Sequence, residues 1–250
     1  MSRYKIVFSY DGSQFAGYQC QPNLRTVQGE LEKAVSYING QKKTVVHSSG
    51  RTDALVHALG QVAHFDLQVQ ITENKLKRAL NSNLPDDIHV ISACQVADDF
   101  HARYMVTSKE YEYIMNLGEY NPLERCYVHQ CCHALDLEAM KKALSYLEGE
   151  HDFRAFVSEN KNHENCVRTI YETSLTIDAL NPSKIHIYFK GSGFLKYQVR
   201  NMVGTLIRIG EGKMEPERML AILESKDRMK AGRTAPACGL YLVKVNYEVL

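Results

Sequence analysis

The chain has 250 residues, enough for one large domain or two halves sharing a core, and its 44% hydrophobic and 24% charged content excludes disordered, collagenous and coiled-coil classes. No stretch reaches the roughly 18 uncharged apolar residues of a membrane span, and the opening MSRYKIVFSY reads as a strand and not a signal segment, so a cytoplasmic protein is expected. Thirty Lys and Arg against 29 Asp and Glu leave a net charge of +1, so nucleic-acid binding would have to rest on local charge, and seven cysteines in such a chain point to reduced thiols.

Residues 3–10 read as a first strand, closed by the turn dipeptide Asp11-Gly12. Val27, Leu31, Ala34, Val35 and Ile38 recur at helical spacing, with Gly40 as the stop. Strands are expected over 44–47, 61–67 and 88–96, with a helix over 73–81 before the last of them, giving β-α-β-β-α-β. The second half opens with a strand over 109–116 and another near 127–133, followed by a helix that aligns Leu137, Met140, Leu144 and Leu147. A hairpin over 167–177 and 184–190 turns at Asn181-Pro182. The longest helix carries the stripe Leu195, Val199, Met202, Val203, Leu206 and Ile207 before Gly210; a short helix over 215–224 and a strand over 240–247 close the chain. The expected class is α+β: two similar halves, 1–105 and 106–250, with antiparallel or mixed sheets. No Gly, Ser or Pro-rich linker separates them, so one continuous sheet is expected, with a groove for a large ligand at the junction.

Arg51, Thr52 and Asp53, with His57 close behind, occupy a turn-like stretch between two strands, where catalytic groups are commonly presented. Side chains two apart in extended backbone share a direction, so Arg51 and Asp53 can pair, which would keep the carboxylate ionised as a nucleophile or base. The same Asp could instead cap a turn. Tyr111 and Tyr113 alternate on one strand and suit stacking on unpaired bases, or one ring in the core and one at the rim. From Lys184 to Lys213 six basic residues meet one acid, Glu211, a net +5 that suits a phosphate-binding face or a solvated helix surface. Cys126, His129, Cys131, Cys132 and His133 carry zinc-ligand chemistry without zinc-site spacing, so no metal is expected there.

Nine motifs in order resemble one family, the TruA-type tRNA pseudouridine synthases: FSYDGSQFAGYQ, RTVQGELEKA, GRTDALVHALGQVAHF, NSNLPDDI, DDFHARY, KEYEYIM, GEHDF, FLKYQVRNMVGTL and GLYLVKVNY. The resemblance implies a cytoplasmic, homodimeric isomerase with a central basic cleft. It would convert uridine to pseudouridine in the tRNA anticodon arm, at positions 38, 39 and 40, without organic cofactor or metal. It implies that Asp53 is the nucleophile and that Arg51 orients it and helps extrude the base. Tyr111 would pack on the target base as a candidate proton acceptor, and Lys196, Arg200 and Arg103 would bind RNA. A paralogue acting on another structured RNA such as rRNA, or a non-catalytic RNA-binding protein, are the alternatives. Leu55 stands where the family usually has Gly; at positive φ it would cost roughly 1 kcal/mol or more.

Overall fold

A computed structural model describes residues 1–158 and 165–248. The chain separates into two units, Met1–Thr107 with Tyr241–Leu250, and Ser108–Leu240. Both are α+β.

In the first unit, β1 (Ser2–Tyr10) lies between β3 (His57–Leu67) and β4 (Ile88–Val96), antiparallel to both. Its alternation puts Tyr4, Ile6, Phe8 and Tyr10 on one buried face. β2 (His47–Ser48) adds to the free side of β3 near its end, and β10 (Leu240–Tyr247) runs parallel to the start of β3, pairing Tyr241 with His57. Two helices cover the buried face. α1 (Val27–Ile38) begins where Thr26 Oγ1 accepts from Gly29 N, and buries Val27, Leu31, Ala34 and Val35. α2 (Glu73–Asn83) packs on β4 through Leu76 and Leu80.

In the second unit, β5 (Val106–Asn116) pairs antiparallel with β9 (Lys184–Gly191), β9 with β8 (Val167–Ile177), and β8 with β7 (Gly149–Asp152). β6 (His129–Gln130) joins β5 in parallel. Ile185, Ile187 and Phe189 all point inward, as the alternation of β9 requires. α3 (Leu137–Ser145), α4 (Gln198–Gly210) and α5 (Arg218–Ser225) form the helical layer, with α3 against both α4 and α5.

Several expectations need correction. The strand expected over 44–47 is shifted to His47–Ser48, because Thr44 is held at the end of α1: its N–H donates to Ser36 Oγ and its hydroxyl accepts from Asn39 Nδ2. β3 starts at His57 and not at 61, since its first residues find a ladder on β10, far away in sequence. The strand near 127–133 shrinks to two residues. β7 is short and polar, with no apolar alternation to reveal it, and exists because β8 supplies its partner. The closing strand, read with the second half, packs in the first unit through β3. No helix of the described residues is long and apolar enough to cross a membrane.

Candidate active site

The loop from Ser49 to Val56 carries Arg51 and Asp53 and is gripped from two sides within the first unit. On the sheet side, Ser49 N donates to Val62 O at 2.8 Å and Ser49 Oγ to Gln61 Oε1 at 2.6 Å. Gln61 Nε2 reaches back to Gly50 O at 3.1 Å. Gln61 is fully buried and so serves as a polar post inside the unit, with its amide oxygen and nitrogen both engaged on this loop.

On the other side stands the segment after β1. Tyr10 and Thr52 share a hydroxyl hydrogen bond at 2.8 Å, and burial pushes the Tyr10 phenol up to about 12, so it stays neutral. Tyr18 N donates to Thr52 O at 3.1 Å. Gly12 lies so close that a Cβ there would sit 2.1 Å from Val56 O; only a residue without a side chain permits this approach. Gly12 N donates to His57 Nδ1 at 3.0 Å. The same Nδ1 lies 3.2 Å from Asp11 Oδ1, so His57 meets both residues of the turn after β1. Its ring stacks on Tyr241 at 4.7 Å.

Thr52 is thus buried and doubly bonded, and its neighbour Asp53 is half-buried at a fixed place. Val56 N donates to Asp53 O at 3.3 Å, which closes the turn. Inside it Leu55 has φ 66, the left-handed region, with its side chain 47% exposed. The conditional cost attached to this leucine therefore applies: an L-residue here gives up about 1–2 kcal/mol relative to glycine before the entropy of the unfolded chain is counted. Arg51 is exposed, and among the described residues no acid pairs with its guanidinium. Arg103, also in this unit, is exposed on the turn after Phe100, its N–H donating to His101 Nδ1.

The second unit holds the other candidates. Tyr111 is 8% exposed on β5, opposite Phe189 of β9 and edge-on to Phe194 with ring centres 5.1 Å apart. Tyr113 is wholly buried and donates its hydroxyl to Pro236 O at 2.9 Å, so of the two tyrosines it is the structural one. Lys196 and Arg200 flank Tyr197 at the start of α4, the first exposed and the second half-buried. The basic run is weaker than its count suggests: Lys184 pairs with Glu124 at 2.6 Å and Lys213 with Glu211 at 2.8 Å.

In the cysteine cluster, Cys131 Sγ lies 3.6 Å from His133, whose Nε2 faces Glu211 at 3.3 Å. Burial pushes the Cys131 thiol up to about 11, away from the thiolate that a metal would need. Sequence reasoning missed Gln61, Tyr10 and Gly12 as supports of the loop. Their signal was present as fixed spacings within YDG and GQVAHF, but pairing them requires the β1–β3 register.

The profile of the family described as tRNA pseudouridine synthase matches residues 6–105 and 143–248, with the Asp53 loop inside the first match. The chain belongs to that family. The tRNA pseudouridine synthases A of Streptococcus pneumoniae strains P1031 and 70585 are each 49% identical to it over 249 residues, spanning 99% of this chain and 100% of theirs. Among solved structures, a Cbf5-Nop10-Gar1 complex covers 82% of this chain and 45% of its own at 12% identity and a TM-score of 0.34, too slight a likeness to carry argument. A pseudouridine synthase is an isomerase: the N1–C1′ bond of uridine breaks, a C5–C1′ bond forms, the C5 proton leaves and N1 gains one.

Proposed function

We propose that this pseudouridine synthase acts on uridines in the anticodon arm of tRNA, at positions 38, 39 and 40, with Asp53 as its nucleophile. The observation that carries the reading is the loop itself. An Arg-Thr-Asp turn, pinned through Thr52 to Tyr10 and Tyr18 and through Gly50 to Gln61, offers one carboxylate at a defined place. Pre-positioning of that kind is what a carboxylate needs to attack a single carbon of a bound nucleotide. Full-length identity of 49% to tRNA pseudouridine synthases A supports tRNA over other RNA.

Attack at C1′, addition at ring C6, and removal of a proton on the way to a glycal all start from the same ionised Asp53. Arg51, exposed beside it, is assigned to help extrude the base and to orient the carboxylate. Tyr111 is assigned to the face of the target base and to accept the C5 proton, and Lys196, Arg200 and Arg103 to phosphates. Extrusion from a stem costs a few kcal/mol, which phosphate contacts and an aromatic wall offset. We further assign the protein to the cytoplasm as a homodimer, in keeping with the family.

The test is to incubate the purified protein with an unmodified tRNA transcript carrying uridines at 38, 39 and 40, and to map pseudouridine by carbodiimide labelling and primer extension. Product at those positions is expected. Product confined to other positions, or formed only on ribosomal RNA from total cellular RNA, overturns the assignment of substrate.

A further inference from the structure

Arg103 stands on the turn after Phe100, and side chains hold the main chain beneath it. Ala102 is wholly buried; its N–H donates to His64 Nδ1 at 3.1 Å, and its carbonyl accepts from the Tyr247 hydroxyl at 2.7 Å. The next N–H, that of Arg103, donates to His101 Nδ1 at 3.1 Å, and Phe100 O accepts from Arg3 Nη1 at 3.0 Å. Two imidazoles therefore spend the same ring atom on consecutive main-chain donors.

In a neutral imidazole the nitrogen that accepts an N–H carries no hydrogen, so the hydrogen of each ring is on Nε2 and a second proton could go only to Nδ1. There it would face the N–H of the turn and release it. The surroundings oppose that proton. His64 is buried on β3, its ring stacked on His47 of β2 at 5.0 Å and edge-on to His101 at 4.7 Å. Burial, then the facing His101, His47 and Arg3 of β1, lower His64 to about 4, against a smaller opposite pull from Asp66. Burial, His47, Arg3 and Arg103 lower His101 as well. Asp66 is itself taken by Arg3, which donates to both its oxygens at 2.8 Å, and Asp98 and Asp99 also act on Arg3. His64 is thus an acceptor that stays an acceptor at neutral pH. The exposed Arg103 sits on main chain that has already lost its freedom, so less must be ordered when an anion arrives.

We infer that His64 is a positioning residue for RNA binding: its Nδ1 holds Ala102 and so sets the turn from which Arg103 reaches a phosphate of the tRNA. This rests on the assignment of Arg103 to RNA contact.

The experiment measures affinity for an unmodified tRNA transcript across a salt series, near neutral pH and below each melting transition, for His64→Asn, His64→Gln, Arg103→Ala and the double variant His64→Gln/Arg103→Ala. Asparagine places its Oδ1 where histidine has Nδ1; glutamine, closer to histidine in size, places its oxygen near the Nε2 position instead. His64→Asn is expected to bind within about twofold of wild type, and His64→Gln up to about tenfold more weakly, with a salt slope shallower by up to about one unit. A histidine that only filled space would give the opposite order, since glutamine leaves the smaller cavity. The double variant should bind no more weakly than Arg103→Ala alone, because one residue acts through the other. In nitrogen NMR spectra of the wild type, His64 should be the neutral tautomer with its hydrogen on Nε2. Wild-type binding in His64→Gln, a His64→Asn as weak as the glutamine variant, additive losses in the double variant, or a hydrogen on Nδ1 would each overturn the inference. If Arg103→Ala itself binds with wild-type affinity and slope, the RNA-contact assignment fails and the inference with it. Loss in Arg103→Ala beside wild-type behaviour in His64→Gln removes the inference alone.

Discussion

Leu55 shows how a single residue can be read in both sequence and structure. It occupies a left-handed position two residues after Asp53, so Leu55→Gly removes the steric cost of about 1–2 kcal/mol and returns about 0.5–1 kcal/mol of unfolded-state entropy. The net expectation is a gain of roughly 0.5–1 kcal/mol, read as a melting temperature higher by about 2 °C, with turnover within about twofold of wild type. A fall in melting temperature would show that the half-exposed leucine packs for more than its strain costs. Two histidines give a pH prediction. Burial lowers His64 to about 4, helped by the neighbouring His101 and His47, and burial lowers His129 to about 4, helped by His133. Both folded values lie below the unfolded value near 6.5, so the unfolded chain takes up protons first as pH falls. Stability should be full above about pH 6.5 and decline as pH drops from there through about 4. His129 Nδ1 is buried with no hydrogen-bond partner, so His129→Leu should soften that acid decline while changing little at pH 8. Equal melting curves for variant and wild type at pH 5 would contradict it.

Among the elements, α4 does most to organise the second unit. Its buried face carries polar groups as well as the apolar stripe: Asn201 donates to Phe156 O at 2.7 Å and accepts from Thr234 Oγ1 at 2.7 Å and Arg228 Nη2 at 3.0 Å. Thr205 Oγ1 accepts from Gly232 N at 2.8 Å. This network fastens residues 228–235 along the helix, and Ala235 in turn fixes Arg200. Gly204 makes the approach feasible, since a Cβ there would sit 1.7 Å from Arg233 O. Gly204→Ala must therefore push that segment away, at about 1–3 kcal/mol. A melting temperature several degrees lower, with weaker tRNA binding, is the expected result; an unchanged melting temperature would mean that the segment moves aside freely. Helical spacing made α1, α2 and α3 readable, because each buries one apolar stripe. The reading of α4 was right in its stripe but early in its start, since Leu195 belongs to the turn that Gln198 caps and not to the helix. Its polar network was not readable, because Arg228, Gly232 and Thr234 meet Asn201 and Thr205 only through the fold. The two-residue strands β2 and β6 were misread, the first in place and the second in length, for a related reason: their existence depends on partners distant in sequence.

For the whole molecule, a net charge of +1 leaves RNA binding to local groups, for which Arg103, Lys196 and Arg200 are the proposed contributors. Pairing of Lys184 and Lys213 with acids means that counting charges along the chain overstated this resource. The reaction was legible because motifs spread along the chain occur together in order, and a family profile matching both units agrees. The support of the Asp53 loop was not, because Tyr10, Gly12 and Gln61 reach it through the pairing of β1 with β3. Asp53 is proposed to supply the chemistry on tRNA. The most direct test compares wild type with Asp53→Asn in single-turnover reactions on the same tRNA transcript, measuring binding, melting temperature and pseudouridine formed. Asp53→Asn is expected to fold and bind tRNA like wild type but to form no pseudouridine, since an amide is too weak a nucleophile or base. Pseudouridine formed by Asp53→Asn at a rate near that of wild type would contradict it.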